Sequence, residues 1–334
     1  MPHFDLTAIE SATRWKMHCS HRTLLVLILV MSLIGGGCAS FGGRKLKDRK
    51  LPTNDRDWTP EQRVLPYAEI QGTRYQIYNI RNNEYLSQDD FVVNHYHRQV
   101  DLSQVQTVDF IVVPFSLRGA LAHTMISFGL DDGSYICLSV EVRREVGETY
   151  QALAGLTRGY DLIYVLGDER DLIGVRAVHF ETDVYLYPGN ATPQQAQALF
   201  VDVMHRINQL KERPEFYHLI TNNCTTNLKD HVNRISPNRI RDQALGVLLP
   251  GFSGRHAHRI GLIENRIPYA DLKQIAFVNP LVTQHLDEPN FSTAIRSRRY
   301  RIDRQIARQE NRQTTLDGRG RAVIDQAPSN QLFR

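Results

Sequence analysis

The sequence predicts one α+β domain over residues 61–290, preceded by an export signal and followed by a basic tail. Three observations support this fold class: several short runs rich in β-branched and aromatic residues, a hairpin joined at residues 131–133, and one long amphipathic helix after them. Neither a linker nor an internal repeat interrupts this region, so we predict a single domain.

Charge is unevenly distributed along the 334 residues, whose formal net charge is +4. Residues 1–50 hold eight Lys/Arg and three Asp/Glu, and residues 291–334 hold ten Arg and four Asp/Glu, which leaves −7 for residues 51–290. The predicted body is therefore acidic. Because phosphate binding needs positive charge on a folded face or a basic arm, this distribution argues against a nucleic-acid partner. The 42% hydrophobic content and 4 Cys also exclude collagen-like and disulfide-dense classes.

Residues 1–37 predict a lipoprotein signal peptide. Basic residues precede an apolar run at 24–34, which is too short to cross a membrane because a spanning helix needs about 20 apolar residues. Small residues then lead to Cys38, a pattern that looks like a bacterial lipobox, so Cys38 is the expected lipidation site. Met17 begins a segment of more typical signal length, which favours residues 17–37 as the true signal.

Residues 38–60, which contain Gly42, Gly43 and clustered Lys and Arg, are predicted to be a flexible tether. Ala39, rather than Asp, follows Cys38, which resembles the Gram-negative pattern for release to the outer membrane. We therefore expect a body on the periplasmic side of a Gram-negative envelope membrane, held to membrane lipid by acylated Cys38. Residues 291–334 are predicted to be a basic, flexible tail.

Apolar runs within the body predict strands at 110–115, 162–166 and 184–187. A helix is predicted between Thr192 and Pro214, because Thr192 can cap it, a proline follows in the first turn, and apolar residues recur at steps of three and four. The apolar stripe of this helix is interpreted as a core face.

The hairpin around residues 131–133 is the most informative segment. With a three-residue loop, Ile126 lies opposite Leu138 and Phe128 lies opposite Ile136, which gives one coherent apolar face. A two-residue turn would make the two strands bury opposite faces. Burial therefore favours the three-residue loop.

This register places His123 directly opposite Glu141, with Cβ atoms roughly 4.5–5.5 Å apart. A carboxylate there would hold the imidazole in one tautomer and support its charged form. On a solvated face the same two residues would be an ordinary cross-strand pair. Their interpretation as catalytic residues therefore depends on which other reactive groups fold beside them.

Cys224 is the candidate nucleophile, and we expect it in the first turn of a second helix. Unpaired N–H groups at such a position lower the pKa of a thiol and can stabilise an oxyanion. Asn222, Asn223 and Thr225 are accordingly predicted to shape the site or its oxyanion hole. A cysteine that only packs usually has apolar neighbours, whereas residues 221–227 are all polar apart from the thiol.

Cys137 is the competing thiol. It shares the hairpin face of His123 and Glu141, but it stands four residues from Glu141, roughly 13 Å at the rise of a strand. We therefore expect it to pack rather than to react. A Cys137–Cys224 disulfide is conceivable in an oxidising compartment and would silence the site.

No cofactor and no metal site is predicted. His95 with His97, and His256 with His258, could each offer two ligands, but neither pair has a third ligand at convincing spacing. The charged run at 168–171 is interpreted as a salt-bridged loop. The sequence contains no Walker loop, no G-x-S-x-G and no H-E-x-x-H.

From about residue 65 to residue 286, the chain resembles the Lnb N-terminal periplasmic domain family. The motifs that carry the resemblance lie at 112–115, 122–124, 127–129, 139–145, 167–171, 184–188, 221–227 and 248–251. The resemblance implies a circularly permuted NlpC/papain-like fold, similar to lecithin:retinol acyltransferases, whose antiparallel sheet carries His and Glu and whose helix carries Cys at its N-terminus. By that likeness, Cys224 is the nucleophile, His123 the general base and Glu141 the orienting residue.

The family takes its name from an enzyme that N-acylates bacterial lipoproteins. The resemblance therefore implies acyl transfer or hydrolysis through a thioester on Cys224, with phospholipid and lipoprotein or peptide as substrates. Two alternatives stay open: a cell-wall peptide amidase or endopeptidase with the same residues, and a lipoprotein that binds a partner without catalysis. An apolar groove beside Cys224 would favour lipid transfer, and a polar groove would favour peptide cleavage.

Overall fold

The structure, a computed structural model, describes residues 51–149, 159–236 and 239–317. The predicted signal peptide, the expected lipidation site Cys38, the first part of the tether and the end of the tail lie outside the described residues. No helix within the three described ranges is long and apolar enough to span a membrane.

The described residues form a mixed α and β fold, in agreement with the predicted α+β class. Its strands are β1 (Tyr67–Gln71), β2 (Arg74–Arg81), β3 (Glu84–Tyr85), β4 (Phe91–Val92), β5 (His95–Asp101), β6 (Val105–Ser116), β7 (Leu121–Leu130), β8 (Tyr135–Arg143), β9 (Asp161–Gly167) and β10 (Tyr185–Pro188). Its α-helices are α1 (Pro60–Arg63), α2 (Glu169–Gly174), α3 (Pro193–Glu212), α4 (Cys224–Ile235), α5 (Leu245–Leu248), α6 (Ser253–Arg259), α7 (Tyr269–Ala276), α8 (Asn279–His285), α9 (Phe291–Ala294) and α10 (Tyr300–Asp317).

One eight-stranded sheet organises these elements, in the order β1-β2-β9-β8-β7-β6-β10, with β5 also paired to β2. Neighbouring strands are antiparallel except β2 and β9, which meet in parallel at Arg81 and Gly167. The strands that carry His123 and Glu141 are antiparallel to their neighbours, as predicted. The sheet as a whole is mixed, because β9 also pairs in parallel with β2, a strand from the start of the domain. β3 and β4 form a separate small hairpin.

Both faces of the sheet are buried. On one face, Ile126, Phe128 and Leu138 pack with Phe200 of α3 and Leu228 of α4. On the other face, a second cluster joins the sheet to α2, α8 and α9 through residues such as Met125, Cys137, Leu172, Val282 and Phe291. The central strands are apolar on both sides because each side is covered by helices.

The predicted hairpin register is confirmed. Ile126 pairs with Leu138 and Phe128 with Ile136, and the loop is closed by a 2.9 Å hydrogen bond from the Leu130 N–H to the Ser134 carbonyl. Gly133 has φ +80°, a left-handed conformation that glycine adopts without strain.

The predicted helix after Thr192 is also confirmed. Thr192 caps α3 with a capping box that involves Gln195, and Pro193 occupies the first turn. The stripe predicted to be a core face is buried, including Leu199, Phe200 and Val203. The second helix begins at Cys224, as expected.

Two predicted boundaries differ from the structure. Trp58, within the predicted tether, is fully buried, and the Arg143 guanidinium lies 4.3 Å from its ring centroid. Arg296, within the predicted tail, is buried and paired with Asp109 and Glu169. Within the described part of each segment, these side chains therefore pack into the body.

Candidate active site

His123 lies near the start of β7 and Glu141 lies near the end of β8. The ladder between these strands ends at Met125 and Ser139, two residues short of the expected pair. The N-terminal end of α4, with Cys224 as its first residue, packs where this ladder has ended. The register was thus predicted correctly, but the cross-strand pair is not a direct one.

A serine links the two predicted residues instead. His123 Nε2 lies 2.7 Å from Ser139 Oγ, and Ser139 Oγ donates to Glu141 Oε1 over 2.7 Å. Because a serine has one hydroxyl hydrogen and this one is donated to Glu141, His123 Nε2 must donate to Ser139. In the neutral imidazole, Nδ1 is then the basic nitrogen. Sequence reasoning missed Ser139, although its place two residues before Glu141 puts both on one face of β8.

Glu141 is held as a carboxylate. Burial opposes its ionisation, but the Arg176 and Arg81 guanidiniums hold the pKa of Glu141 well below its usual range. Arg176 donates to Glu141 Oε1 over 2.8 Å. This arginine lies in a π-helical segment, Val175–His179, that continues directly from α2. Such π-helical turns are frequent at functional sites because they redirect side chains.

Cys224 is the first residue of α4. Asn223 caps the helix: its side chain accepts from the Thr226 N–H over 2.9 Å, and the Thr226 hydroxyl accepts from the Asn223 N–H over 2.8 Å. The N–H groups of the first turn have no intrahelical acceptor, and the helix dipole adds positive potential there. The thiol is 7% exposed and thus lies in a position that stabilises a thiolate.

The electrostatic setting of Cys224 favours the thiolate. Burial alone would raise the pKa of the thiol, but the charge of His123 and hydrogen bonds from His123 and Thr124 lower it to about 6. The predicted nucleophile and general base are therefore brought together by the fold. Thr124, which sequence reasoning did not single out, contacts the sulfur through both its backbone and its side chain.

The three residues predicted to shape the site or its oxyanion hole make different contacts in the structure. The Asn223 side chain caps α4 and is bonded to the Thr226 N–H. Asn222 donates to the Phe216 carbonyl over 2.9 Å, so its side chain braces the preceding loop. Thr225 does reach the site, with its hydroxyl 3.8 Å from the Cys224 sulfur. Of the predicted side chains, Thr225 therefore contacts the thiol, whereas the two asparagines build the turn that presents it.

Buried side-chain hydrogen bonds hold the start of α4 in place. Asn227 donates to Asn222 Oδ1 over 2.8 Å and to the Asn223 carbonyl over 2.9 Å. Tyr164 of β9 in turn donates to Asn227 Oδ1 over 2.9 Å, and its hydroxyl also bonds His231 Nε2. Most polar side chains of residues 221–227 therefore hydrogen-bond to one another or to neighbouring elements and hold Cys224 in place.

An apolar cavity of about 130 Å³ adjoins the site. Thr124 and Thr225 line this cavity, and each of them also contacts the Cys224 thiol. The rest of the lining is mostly apolar and comes from β6, β7, α3, α4 and residues 246–263, with Val108, Phe110, Ile126, Leu199, Leu228, Val232, Ile235, Val247, Ala257, Leu262 and Ile263. Of the two groove types considered from the sequence, the apolar one is observed beside Cys224.

Cys137 packs on the opposite side of the sheet from Cys224. It is fully buried in the cluster with Met125 and Ile163, and burial together with the nearby Glu169 raises the pKa of its thiol. Both cysteines are free. The two thiols lie in different clusters on the two faces of the sheet, so no Cys137–Cys224 disulfide is formed in this structure.

The charged run at 168–171 is a salt-bridged segment, as interpreted from the sequence. Glu169 pairs with Arg296, Asp171 pairs with Arg81 over 2.9 Å, and Asp168 caps α2 by accepting from the Arg170 N–H.

The two histidine pairs serve local structure. His97 Nδ1 accepts from the Asn79 N–H over 3.1 Å, and His258 Nε2 bonds the Ile267 carbonyl over 2.8 Å. His256 Nδ1 lies 2.8 Å from the Arg259 guanidinium. Among the described residues, no group of three His, Cys, Asp or Glu has the arrangement of a metal site.

Comparison with protein families gives one match that spans the site. The family model described as the Lnb N-terminal periplasmic domain matches residues 92–253, a range that contains His123, Ser139, Glu141 and Cys224. Neither the curated proteins nor the solved structures give a match.

Proposed function

Since residues 92–253 of this chain belong to the Lnb N-terminal periplasmic domain family, we propose that the protein acts in the periplasm as a Cys-His-Glu thiol enzyme. In this proposal, acyl groups are transferred or hydrolysed through a thioester on Cys224. The observation that carries it is the apolar cavity whose lining residues Thr124 and Thr225 also contact the thiol. An acyl chain in that cavity would bring its carbonyl to the sulfur.

The first half-reaction forms the thioester. The Cys224 thiolate attacks the carbonyl carbon of a lipid ester, and the negative charge moves to the carbonyl oxygen. Of the N–H groups in the first turn of α4, that of Thr226 is bonded to the Asn223 side chain, so the N–H groups of Cys224 and Thr225 are the proposed donors to that oxyanion. When the tetrahedral intermediate collapses, the carbon–oxygen bond breaks, and His123 Nδ1 gives the proton that it took from the Cys224 thiol to the departing alcohol oxygen.

The second half-reaction releases the acyl group. An amine or a water attacks the thioester carbonyl while His123 Nδ1 accepts its proton, and the Cys224 thiolate leaves. Throughout both steps, Nε2 stays bonded to Ser139, and the ionised Glu141 accepts from Ser139. Glu141 therefore orients the imidazole through the serine and stabilises its charged form.

The cavity favours a lipid acyl chain over a peptide. Peptide recognition requires polar groups that pair with the backbone of the substrate, whereas burial of an alkyl chain stabilises the complex by about 0.8 kcal/mol per CH₂. The lining beside Cys224 is mostly apolar. A phospholipid is accordingly the proposed donor, and a lipoprotein amine, another amine or water is the proposed acceptor.

The chain order supports a circularly permuted NlpC/papain-like arrangement within this proposal. His123 and Glu141 come from strands that precede the cysteine helix in the sequence. We further propose that residues 17–37 are removed as a signal and that acylated Cys38 holds the protein to the outer membrane. These proposals rest on the order of charge, apolar run, small residues and cysteine in the sequence.

Intact-mass spectrometry after incubation with phospholipid vesicles tests the enzyme proposal. We expect the mass of one acyl chain on the wild-type protein and on Cys137→Ala, and none on Cys224→Ala. Hydroxylamine should remove the adduct, because thioesters are cleaved by this nucleophile. An adduct that persists in Cys224→Ala, or no adduct and no lipid turnover in the wild type, would contradict thioester catalysis.

A further inference from the structure

Large apolar side chains are exposed along a short stretch that forms one wall of the cavity. Leu245 and Leu248 of α5 are 55% and 46% exposed, and Phe252 in the following turn is 40% exposed. Adjacent residues of the same stretch, Gly246 and Val247, line the cavity. One short segment thus presents apolar surface both to the cavity and to solvent.

The turn between β6 and β7 adjoins this stretch. The Gly251 N–H donates to the Ala120 carbonyl over 2.9 Å, and a Cβ on Gly251 would lie 1.7 Å from the Gly119 carbonyl oxygen. Such close backbone contact is possible only with glycine at residue 251. It brings the turn that follows β6 next to this stretch, and Phe115 near the end of β6 is also exposed, by 57%. We name Phe115, Leu245, Leu248 and Phe252 the apolar rim.

The sequence around the apolar rim is positively charged, whereas the body as a whole is negatively charged. Exposed arginines lie on both sides of α5 in the sequence, and residues 239–259 contain four arginines and one acidic residue, Asp242. Arg118, also exposed, lies in the adjoining turn. The whole of residues 51–290 has a net charge of −7, so this positive region is local.

We propose that the apolar rim and its flanking arginines seat the domain on the anionic surface of a phospholipid leaflet. Exposed Leu and Phe enter the boundary between headgroups and acyl chains, while neighbouring arginines attract anionic headgroups. The role of this contact rests on the proposed function, since it would bring the cavity wall against the lipid that supplies acyl chains. Binding itself requires no catalysis and can be measured separately.

Depth-dependent quenching tests the contact directly. The full lipid-anchored chain is reconstituted in vesicles that contain brominated phospholipid, with a tryptophan introduced at the rim as Leu248→Trp. The control is Leu86→Trp, which replaces a 76% exposed leucine beyond β3, outside the rim. Both variants share the same anchor and the same natural tryptophan, the buried Trp58. We expect several-fold stronger quenching of the Leu248→Trp signal, with the difference larger when anionic lipid is included.

Equal quenching of the two variants would overturn the proposal, because the anchor alone would then account for proximity to lipid. A second measurement links the contact to turnover. The double variant Leu248→Asp and Phe252→Asp should lose about tenfold in turnover of vesicle phospholipid, yet hydrolyse a soluble short-chain thioester within about twofold of the wild type. Equal losses on both substrates would also overturn it. If no variant shows turnover, the enzyme proposal fails and the quenching experiment still decides the membrane contact.

Discussion

Two buried cysteines on opposite faces of one sheet have opposite chemical character. Cys137 is 0% exposed within β8, and burial with the nearby Glu169 raises its thiol pKa. Cys224 is 7% exposed at the start of α4, where His123 and Thr124 lower its thiol pKa to about 6. The two residues differ little in exposure, so burial does not explain the difference.

What separates the two cysteines is the set of charges and donors next to each sulfur. Cys224 is beside an imidazole and at a helix N-terminus, both of which stabilise a thiolate. Cys137 is surrounded by apolar side chains, and burial together with the nearby Glu169 carboxylate raises the pKa of its thiol. The difference between the pKa values of the two thiols therefore comes from their charged partners rather than from their accessibility. Three predictions test this comparison.

The largest expected effect concerns the ion pairs that hold the Cys137 side of the sheet. Glu169 is fully buried and pairs with Arg296, which also pairs with Asp109 over 2.8 Å. Arg296→Ala would leave a buried carboxylate without its cation, and we expect it to lower the free energy of unfolding by about 3–5 kcal/mol. Denaturant unfolding monitored by circular dichroism measures this change.

Arg301→Ala is the matched control, because Arg301 is exposed on α10 and such surface changes usually stay within about 0.5 kcal/mol. In Arg296→Ala, Cys137 should also become reactive at lower denaturant concentration than in the control. If the two variants unfold alike, the buried pair does not stabilise this face.

The second prediction concerns the pH dependence of Cys224. Alkylation by iodoacetamide should rise with pH through about 6 and level off above it, because only the thiolate reacts. In His123→Ala the rise should move toward the ordinary thiol range near about 8.5, which at pH 7 means about 30-fold slower alkylation. Peptide mass mapping assigns the label to Cys224 or Cys137.

Cys137 provides the internal comparison for that experiment. We expect no labelling of Cys137 in the folded wild type at any pH in this range, since its thiol is buried and its pKa is raised. An unchanged midpoint for Cys224 in His123→Ala would show that the histidine does not set its reactivity.

The smallest expected effect concerns Ser139 as a positioning residue. Ser139→Ala removes the hydroxyl between His123 and Glu141, and we expect kcat to fall about tenfold, less than the loss of a general base itself. The acidic limb of the pH profile of kcat should shift, because Glu141 no longer supports the charged imidazole through the serine. Thermal unfolding of the variant checks that the fold is intact.

Glu141→Gln should have a similar effect, and the double variant Ser139→Ala with Glu141→Gln should lose little more than either single change. Such non-additivity is expected when two residues act through one relay. Fully additive losses with unshifted pH profiles would mean that Ser139 only fills space.

Much of the central fold follows from local sequence patterns. The hairpin register followed from the need to bury Ile126 and Phe128 on one face, and the structure has that register. The helix at Thr192 followed from its cap, its proline and its apolar period, and the structure confirms each. These features could be predicted because each depends on residues close together in the sequence.

The features that were missed depend on residues far apart in the sequence. Arg296 was assigned to a flexible tail, yet it reaches Glu169 and Asp109 in the interior. Asn222 and Asn223 were expected to shape an oxyanion hole, yet their side chains build the turn before α4. Thr124 was not singled out, yet it contacts the thiol. No periodic pattern signals a contact between distant segments.

The sequence by itself determined which groups are available: a cysteine at a helix start, and a histidine and a glutamate on paired strands. Spacing and burial were enough for this, because strand and helix periods fix which residues share a face. Only the tertiary structure decided that Ser139 stands between His123 and Glu141, and that an apolar cavity lined by Thr124 and Thr225 lies beside the start of the cysteine helix. The relay joins side chains of β7 and β8, and the cavity lies among β6, β7, α3 and α4. The packing of separate elements is not encoded in the pattern of any one of them.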